Sequence, residues 1–216
     1  MASDAVEGRE IHPAQARADL VVRGRRLEYL TIAWNSFEAA VALVSGAMAG
    51  SVALVGFGLD SVIETLSAGI LLWRFRSDNE RRERVARKLV GVCFLLLAVY
   101  VGVDSARCLW MKVQTERSLP GILIAAAAIV VMPLLGRAKR RVAAQLESGA
   151  LHSDSRQADF CAYLSFILLA GLLLHALLGW WWADPAAALV MVPIIAREGV
   201  QGVRSEPCGC DNRSCE

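Results

Sequence analysis

Six long apolar stretches, separated by short polar or charged segments, limit the folds that this chain can adopt. They cover approximately residues 27–48, 51–73, 89–110, 119–135, 158–181 and 183–196. About 20 apolar residues cross a bilayer as a helix, and a helix satisfies its own backbone hydrogen bonds in lipid. The pattern predicts an all-α bundle of six transmembrane helices, the last of them short.

The positions of the basic residues predict how the bundle is oriented. About twenty of the 23 Lys and Arg residues lie in the two terminal segments and in the linkers 74–88 and 136–157. The alternate connections, 46–51, 111–118 and 179–184, contain almost none. Because cytoplasmic loops retain Lys and Arg, both termini and both long linkers are predicted to face the cytoplasm. An even number of spans is then required.

Composition and motifs restrict the domain organisation and the function. Hydrophobic residues make up 56% of the chain, against about 45–50% in soluble domains. We expect a cytoplasmic N-terminal tail over residues 1–26 without a cleavable signal peptide, a membrane domain over 27–200 and a cytoplasmic tail over 201–216. No phosphate loop, nucleophile triad or nucleic-acid module is recognisable, so we expect neither an enzyme nor an organic cofactor nor a nucleic-acid partner.

Two acidic residues lie inside the second apolar stretch. Asp60 and Glu64 are four residues apart, which places both carboxylates on one face of a helix. Carboxylates in hydrocarbon are costly and turn inward towards a partner, yet this stretch offers no Lys or Arg within reach. A divalent cation would satisfy both. The alternatives are pairing with a basic residue of another helix, or a protonated state held by hydrogen bonds.

Further polar residues in the first and fifth stretches are candidates for the same site. Asn35 and Glu38 are three residues apart in the first stretch and share a helical face. Asp159 begins the fifth stretch. Helices 1, 2 and 5 could bring these side chains together at one depth. Alternatively, Glu38 forms only an interhelical hydrogen bond, and Asp159 is an ordinary residue at a helix start.

Two segments of the chain resemble a known family of membrane transporters. The run GSVALVGFGLDSVIETLSAGILLWRF resembles the second helix of the cation diffusion facilitators, and QADFCAYLSFILLAGLLLHALLGWWWADPAAALVMVPIIAREG resembles their fifth and sixth helices. The resemblance covers roughly residues 28–200 and is weakest in helices 3 and 4. It implies metal/proton antiport that exports a divalent cation from the cytoplasm, with zinc first and manganese, iron or cobalt as alternatives. It also implies a homodimer in the plasma membrane, here in a short form without the family's cytoplasmic C-terminal domain.

The same resemblance implies a set of metal ligands. Asp60 and Glu64 occupy the positions of the Asp-x-x-x-Asp pair of helix 2, with the second residue lengthened to Glu. Asp159 matches the Asp of helix 5, whereas Ser155 stands where the family has His or Asp. A site with only oxygen ligands tolerates harder ions such as Mn²⁺ or Fe²⁺.

The fourth ligand is therefore open. Glu38 is one substitute, and Asp154 or His152 would serve only if helix 5 were locally kinked. Asp154 lies five residues before Asp159, which on a regular helix turns it away from the shared face.

The C-terminal segment contains Cys208 and Cys210 in a C-x-C pair, and Cys215. Thiolates bind soft or borderline metals, so these residues are a candidate tail metal site. The alternative is a disordered tail with incidental cysteines. The tail also supports a rival function, a non-transporting membrane protein that binds metal and regulates a partner. A structural membrane protein without a ligand is the third option.

Overall fold

The computed structural model describes residues 13–74, 80–146 and 149–204, which form six α-helices and their connections. Each helix contains a stretch that is long and apolar enough to cross a bilayer, and the described residues contain no strand. The predicted all-α bundle of six membrane helices is confirmed. The helices are α1 Pro13–Ala49, α2 Val52–Arg74, α3 Glu80–Met111, α4 Leu119–Leu146, α5 Gly149–Leu178 and α6 Ala183–Arg204.

Several helices extend past the predicted apolar stretches into charged sequence. α1 already begins at Pro13, α4 continues to Leu146, and α6 continues to Arg204. Arg, Lys, Gln and Ala are good helix formers, and Pro is favoured at the first helical position. Charged residues therefore mark the limits of the apolar stretch but do not end the helix. α5 also begins early, at Gly149, and it ends at Leu178, before the three tryptophans.

Two tight turns connect neighbouring helices. Gly50, with φ of 66°, separates α1 from α2, and Gly179, with φ of 68°, ends α5. Glycine adopts this left-handed conformation without a steric penalty. Ser51 then caps α2, since its Oγ accepts a hydrogen bond from the backbone N–H of Leu54 at 3.1 Å. The turns hold α1 antiparallel to α2, and α5 antiparallel to α6.

Apolar residues cover the outside of the bundle as well as part of its interior. Trp110 is 90% exposed and Leu177 is 77% exposed, as expected where side chains face lipid. The most extensive helix pairs are α1 with α2, α3 with α6, and α4 with α5. The interior also contains a group of charged and amide side chains that are fully or almost fully buried: Glu28, Asn35, Glu38, Asp60, Glu64, Lys139 and Asp184.

The α3–α6 pair depends on glycine. A Cβ atom added at Gly91 would lie 2.7 Å from the backbone N of Val203 and 2.8 Å from the backbone O of Gly199. Both neighbours are main-chain atoms and cannot rotate away. Small residues that permit such close contact are typical of helix interfaces in membranes.

Gly91→Ala is expected to destabilise the bundle, because the added methyl group forces α3 and α6 apart. The expected loss is about 1–3 kcal/mol, the usual cost of overpacking. Gly69→Ala in α2 is the matched control, since a Cβ there meets nothing within 4 Å. That control should be neutral, or more stable by about 0.5–1 kcal/mol through helix propensity. Thermal unfolding in detergent measures both, and equal changes would contradict the α3–α6 contact.

Candidate metal centre

A group of three metal-ligating side chains lies in the interior between α2 and α5. Asp60, Glu64 and Cys161 are 3%, 6% and 0% exposed, and each offers one ligand atom within 4.8 Å of the others. The i, i+4 spacing places both carboxylates on one face of α2, and Cys161 approaches them from α5. We call these three residues the central cluster. The prediction that Asp60 and Glu64 share an inward face agrees with this arrangement.

α1 contributes two polar residues beside the central cluster. Asn35 donates a hydrogen bond from Nδ2 to Glu64 Oε2 at 2.9 Å. Glu38 accepts hydrogen bonds from the Ser61 hydroxyl at 2.6 Å and from Trp34 Nε1 at 2.7 Å. The Cys161 thiol lies 3.8 Å from Glu38 Oε1. Both oxygens of Glu38 thus have protein donors, so Glu38 is placed to orient the cluster and to add negative charge to it.

Some buried acceptor atoms at this site have no hydrogen-bond partner within the described residues. They include Asp60 Oδ2 and Asn35 Oδ1. An isolated polar atom in an apolar interior is costly. Carboxylate and thiolate ligands of this kind suit a divalent cation such as Zn²⁺, which would satisfy the free oxygen of Asp60. The residues present therefore fit a metal ion as the transported species.

Asp159 and Ser155 lie apart from the central cluster. Asp159 forms an ion pair with Arg140 of α4 and is 38% exposed. α5 begins at Gly149, so Asp159 is not the helix-start residue of the stated alternative; it pairs with a basic residue of another helix. Ser155 is buried, and its hydroxyl donates to the backbone O of His152 at 2.6 Å. Neither residue belongs to the group of ligand atoms around Asp60.

Cys161 is the member of the cluster that the sequence analysis missed. A cysteine in an apolar stretch behaves as a small hydrophobic residue. The family pattern assigns the metal ligand of helix 5 to Asp159. A signal was available in the spacing of small residues, because Ser155, Ala158, Cys161 and Ser165 are all buried and recur every three or four residues. The candidate tail ligands Cys208, Cys210 and Cys215 lie outside the described residues.

Comparisons with known proteins agree with the resemblance. Residues 29–206 match the family model of the cation efflux transmembrane domain. Transmembrane protein 163 of Xenopus laevis is 26% identical over 182 residues, which are 81% of this chain and 64% of that protein. An uncharacterized transporter of Synechocystis is 25% identical over 174 residues, which are 74% of this chain and 56% of that protein.

The share of each protein that is aligned decides what can be concluded from these matches. This chain spans less than two thirds of the length of either relative. The family model, by contrast, matches well over half of the chain and includes parts of all six helices. The chain is therefore a multi-pass integral membrane protein that belongs to the cation efflux transmembrane domain family.

Proposed function

We propose that this protein exports a divalent metal cation, zinc foremost, from the cytoplasm in exchange for protons. The observation that carries the proposal is the central cluster, in which two carboxylates and a thiol converge in the interior of a membrane bundle. Ionisable groups at such a depth are typical of ion pathways. The family match and the transporter among the relatives support the same activity.

The choice of zinc rests on Cys161. Zinc binds carboxylate oxygens at about 2.0–2.2 Å and thiolate sulfur at about 2.3 Å, whereas manganese prefers ligand sets made of oxygen. The sequence alone left an all-oxygen site open. A sulfur atom beside Asp60 and Glu64 favours the borderline ion, and a water molecule would complete a set of four ligands.

Proton coupling follows from the ligands themselves. Carboxylate and thiol groups bind a metal ion only when deprotonated, so metal and protons compete for the same atoms. A bundle that exposes the central cluster alternately to each side would load the ion from the cytoplasm and release it as protons arrive from outside. The concentration of basic residues in the terminal segments and long linkers supports the orientation with both termini in the cytoplasm.

We also propose that the transporter is a homodimer in the plasma membrane. Support for both comes from the family resemblance. Cross-linking in native membranes and surface labelling of cells test them separately from the transport activity.

Purified protein in proteoliposomes tests the proposed function directly. With an imposed proton gradient, we expect Zn²⁺ uptake, proton movement in the opposite direction, and slower flux of Mn²⁺. Cys161→Ser should weaken the binding of zinc relative to that of manganese by at least about tenfold. The loss of even an outer-shell partner of a metal ligand costs about 10–100-fold in affinity. Cys93→Ser is the control, because Cys93 is a free, exposed cysteine.

Three results would contradict the parts of this proposal separately. Metal binding without any flux would favour the regulatory protein over the transporter. Flux that ignores the proton gradient would exclude antiport. An equal zinc preference in the Cys161→Ser and Cys93→Ser variants would remove the thiol from the site.

A further inference from the structure

A second group of charged side chains is buried between α1, α4 and α5. Lys139 of α4 is 1% exposed, and its Nζ lies 3.2 Å from Glu28 Oε2 of α1. The same ammonium forms an ion pair with Asp154 of α5. Glu28 and Lys139 are buried, and the Asp154 side chain is 11% exposed. Burying charged groups carries a large desolvation penalty, and intramembrane groups of this kind are typically functional.

The group contains two carboxyl side chains and one ammonium, which both of them share. Glu28 is 0% exposed, and its Oε1 has no hydrogen-bond partner in the described part of the chain. The two side chains thus already hold one cation, the ammonium of Lys139, and among the described residues no donor serves the remaining oxygen of Glu28.

A small cavity lies between this group and the central cluster. Its volume is about 10 Å³, space for the centre of roughly one water molecule. Its wall includes Lys139 and Asp154 of this group as well as Glu64 of the central cluster. The other lining residues are Thr31, Asn35, Met132, Gln157 and Ala158. Asp154 and Glu64 therefore border one shared and mostly polar space.

α1 borders this cavity with a row of buried polar residues. Glu28, Thr31, Asn35 and Glu38 are all buried and are spaced three or four residues apart, so they lie on one helical face. At 1.5 Å per residue the row is about 15 Å long. It leads from the end of the bundle that carries the basic linker between α4 and α5 to the central cluster.

We propose that Glu28 and Asp154 form a second divalent cation site, the access site, which an ion occupies before it reaches Asp60 and Glu64. The ammonium of Lys139 occupies the access site until the ion displaces it. Lys139 thereby sets the affinity of the access site and donates a hydrogen bond to each of the two side chains when no ion is present. This inference rests on the proposed transport function, because it assigns the route by which the ion enters.

The experiment measures binding of Mn²⁺ by electron paramagnetic resonance to detergent-solubilised, full-length protein. Mn²⁺ is chosen because the cysteines of the tail and of α5 bind it poorly. The parent protein carries Asp60→Asn and Glu64→Gln, so the central cluster lacks both carboxylates. Adding Lys139→Met removes the competing ammonium and should tighten Mn²⁺ binding at least about tenfold, which corresponds to about 1.4 kcal/mol.

Two further variants make this test specific. Lys139→Arg retains the positive charge and should bind Mn²⁺ no more tightly than the parent. Adding Glu28→Gln and Asp154→Asn to the Lys139→Met protein should abolish the gain. Equal affinities for the Met and Arg variants would overturn the proposal, as would a gain that survives the loss of both carboxylates.

Lys139→Met also leaves two buried carboxylates without their ammonium and can weaken the fold. In that event the same proposal requires Mn²⁺ to raise the melting temperature of the Lys139→Met variant. The variant that also carries Glu28→Gln and Asp154→Asn should show no change in melting temperature with Mn²⁺. Equal responses would overturn it. The central cluster lacks both carboxylates in all of these variants, so these results do not depend on zinc flux by the wild-type protein. The proposed function is tested by that flux.

Discussion

Replacing Asp60 by Asn and Glu64 by Gln in the same chain is expected to reduce zinc flux to the level of empty liposomes. The two substitutions remove both negative charges of the central cluster and keep the size of the side chains. Without them Cys161 is the only ionisable ligand left in the cluster, and a single thiolate does not form a zinc site. The protons that the carboxylates would exchange are lost as well.

The same double variant should remain folded. Buried carboxylates carry a desolvation penalty, and neutral isosteres lower that penalty. We therefore expect a melting temperature in detergent that is equal to or above that of the wild-type protein. Flux assays on matched amounts of folded protein then separate a loss of ligands from a loss of structure. Wild-type flux in the double variant would exclude the central cluster as the transport site.

Asp159→Asn is the informative comparison for this experiment. The family resemblance assigns Asp159 to the metal, whereas the structure pairs it with Arg140. We expect the Asp159→Asn protein to retain most of its zinc flux. Loss of flux as complete as in the double variant would show that α5 presents Asp159 to the ion during the transport cycle.

Asp184→Ala is expected to cause a large loss of stability. Asp184 begins α6, is 1% exposed, and accepts hydrogen bonds from the Ser51 hydroxyl and from the backbone N–H of Val52 at 3.1 Å. The carboxylate thus ties the start of α6 to the first turn of α2. Removing it leaves two buried donors without an acceptor, and we expect a loss of about 2–3 kcal/mol or more.

Chemical or thermal unfolding in detergent measures this effect. Ser51→Ala removes one of the two hydrogen bonds to Asp184 and also the cap on the N–H of Leu54, so it should destabilise the protein as well. Asp19→Ala is the control, since Asp19 is an exposed acidic residue of α1. Zinc flux per folded molecule should be retained, because Asp184 lies outside the central cluster. Equal stabilities of the Asp184→Ala and Asp19→Ala proteins would contradict the interhelical role.

Much of the fold could be predicted because membrane insertion depends on local composition. The six apolar stretches and the distribution of basic residues led to the same number of helices. The helix ends were less predictable, since a helix continues through charged residues until a turn residue such as Gly179 stops it. The described residues of the predicted linker 136–157 are helical for this reason, and the extension of α4 to Leu146 places Lys139 inside the bundle.

The sequence could predict only those neighbours in the site that lie on the same helix. Asp60 and Glu64 share a face whatever the other helices do, because their spacing matches one helical turn. Contacts between helices depend also on how each helix is rotated about its axis. Asp159 and Cys161 are two residues apart and point in very different directions, about 160° apart around the helix axis at 100° per residue. Apart from the spacing of its small residues, the sequence of α5 does not reveal that rotation, so the thiol was missed.

The polar face of α1 has a consequence for biogenesis. α1 leaves the ribosome before the helices that supply partners for its polar side chains. Asn35 bonds to Glu64 of α2, and Glu28 pairs with Lys139 of α4. A charged side chain at the centre of a lone helix costs at least about 2.5–3.5 kcal/mol on insertion. The nascent α1 must therefore stay in contact with the translocation machinery, or with water, until α2 has been synthesised, and its final burial waits for α4. Assembly of this bundle is consequently a late, concerted event and does not proceed by the release of one finished helix after another.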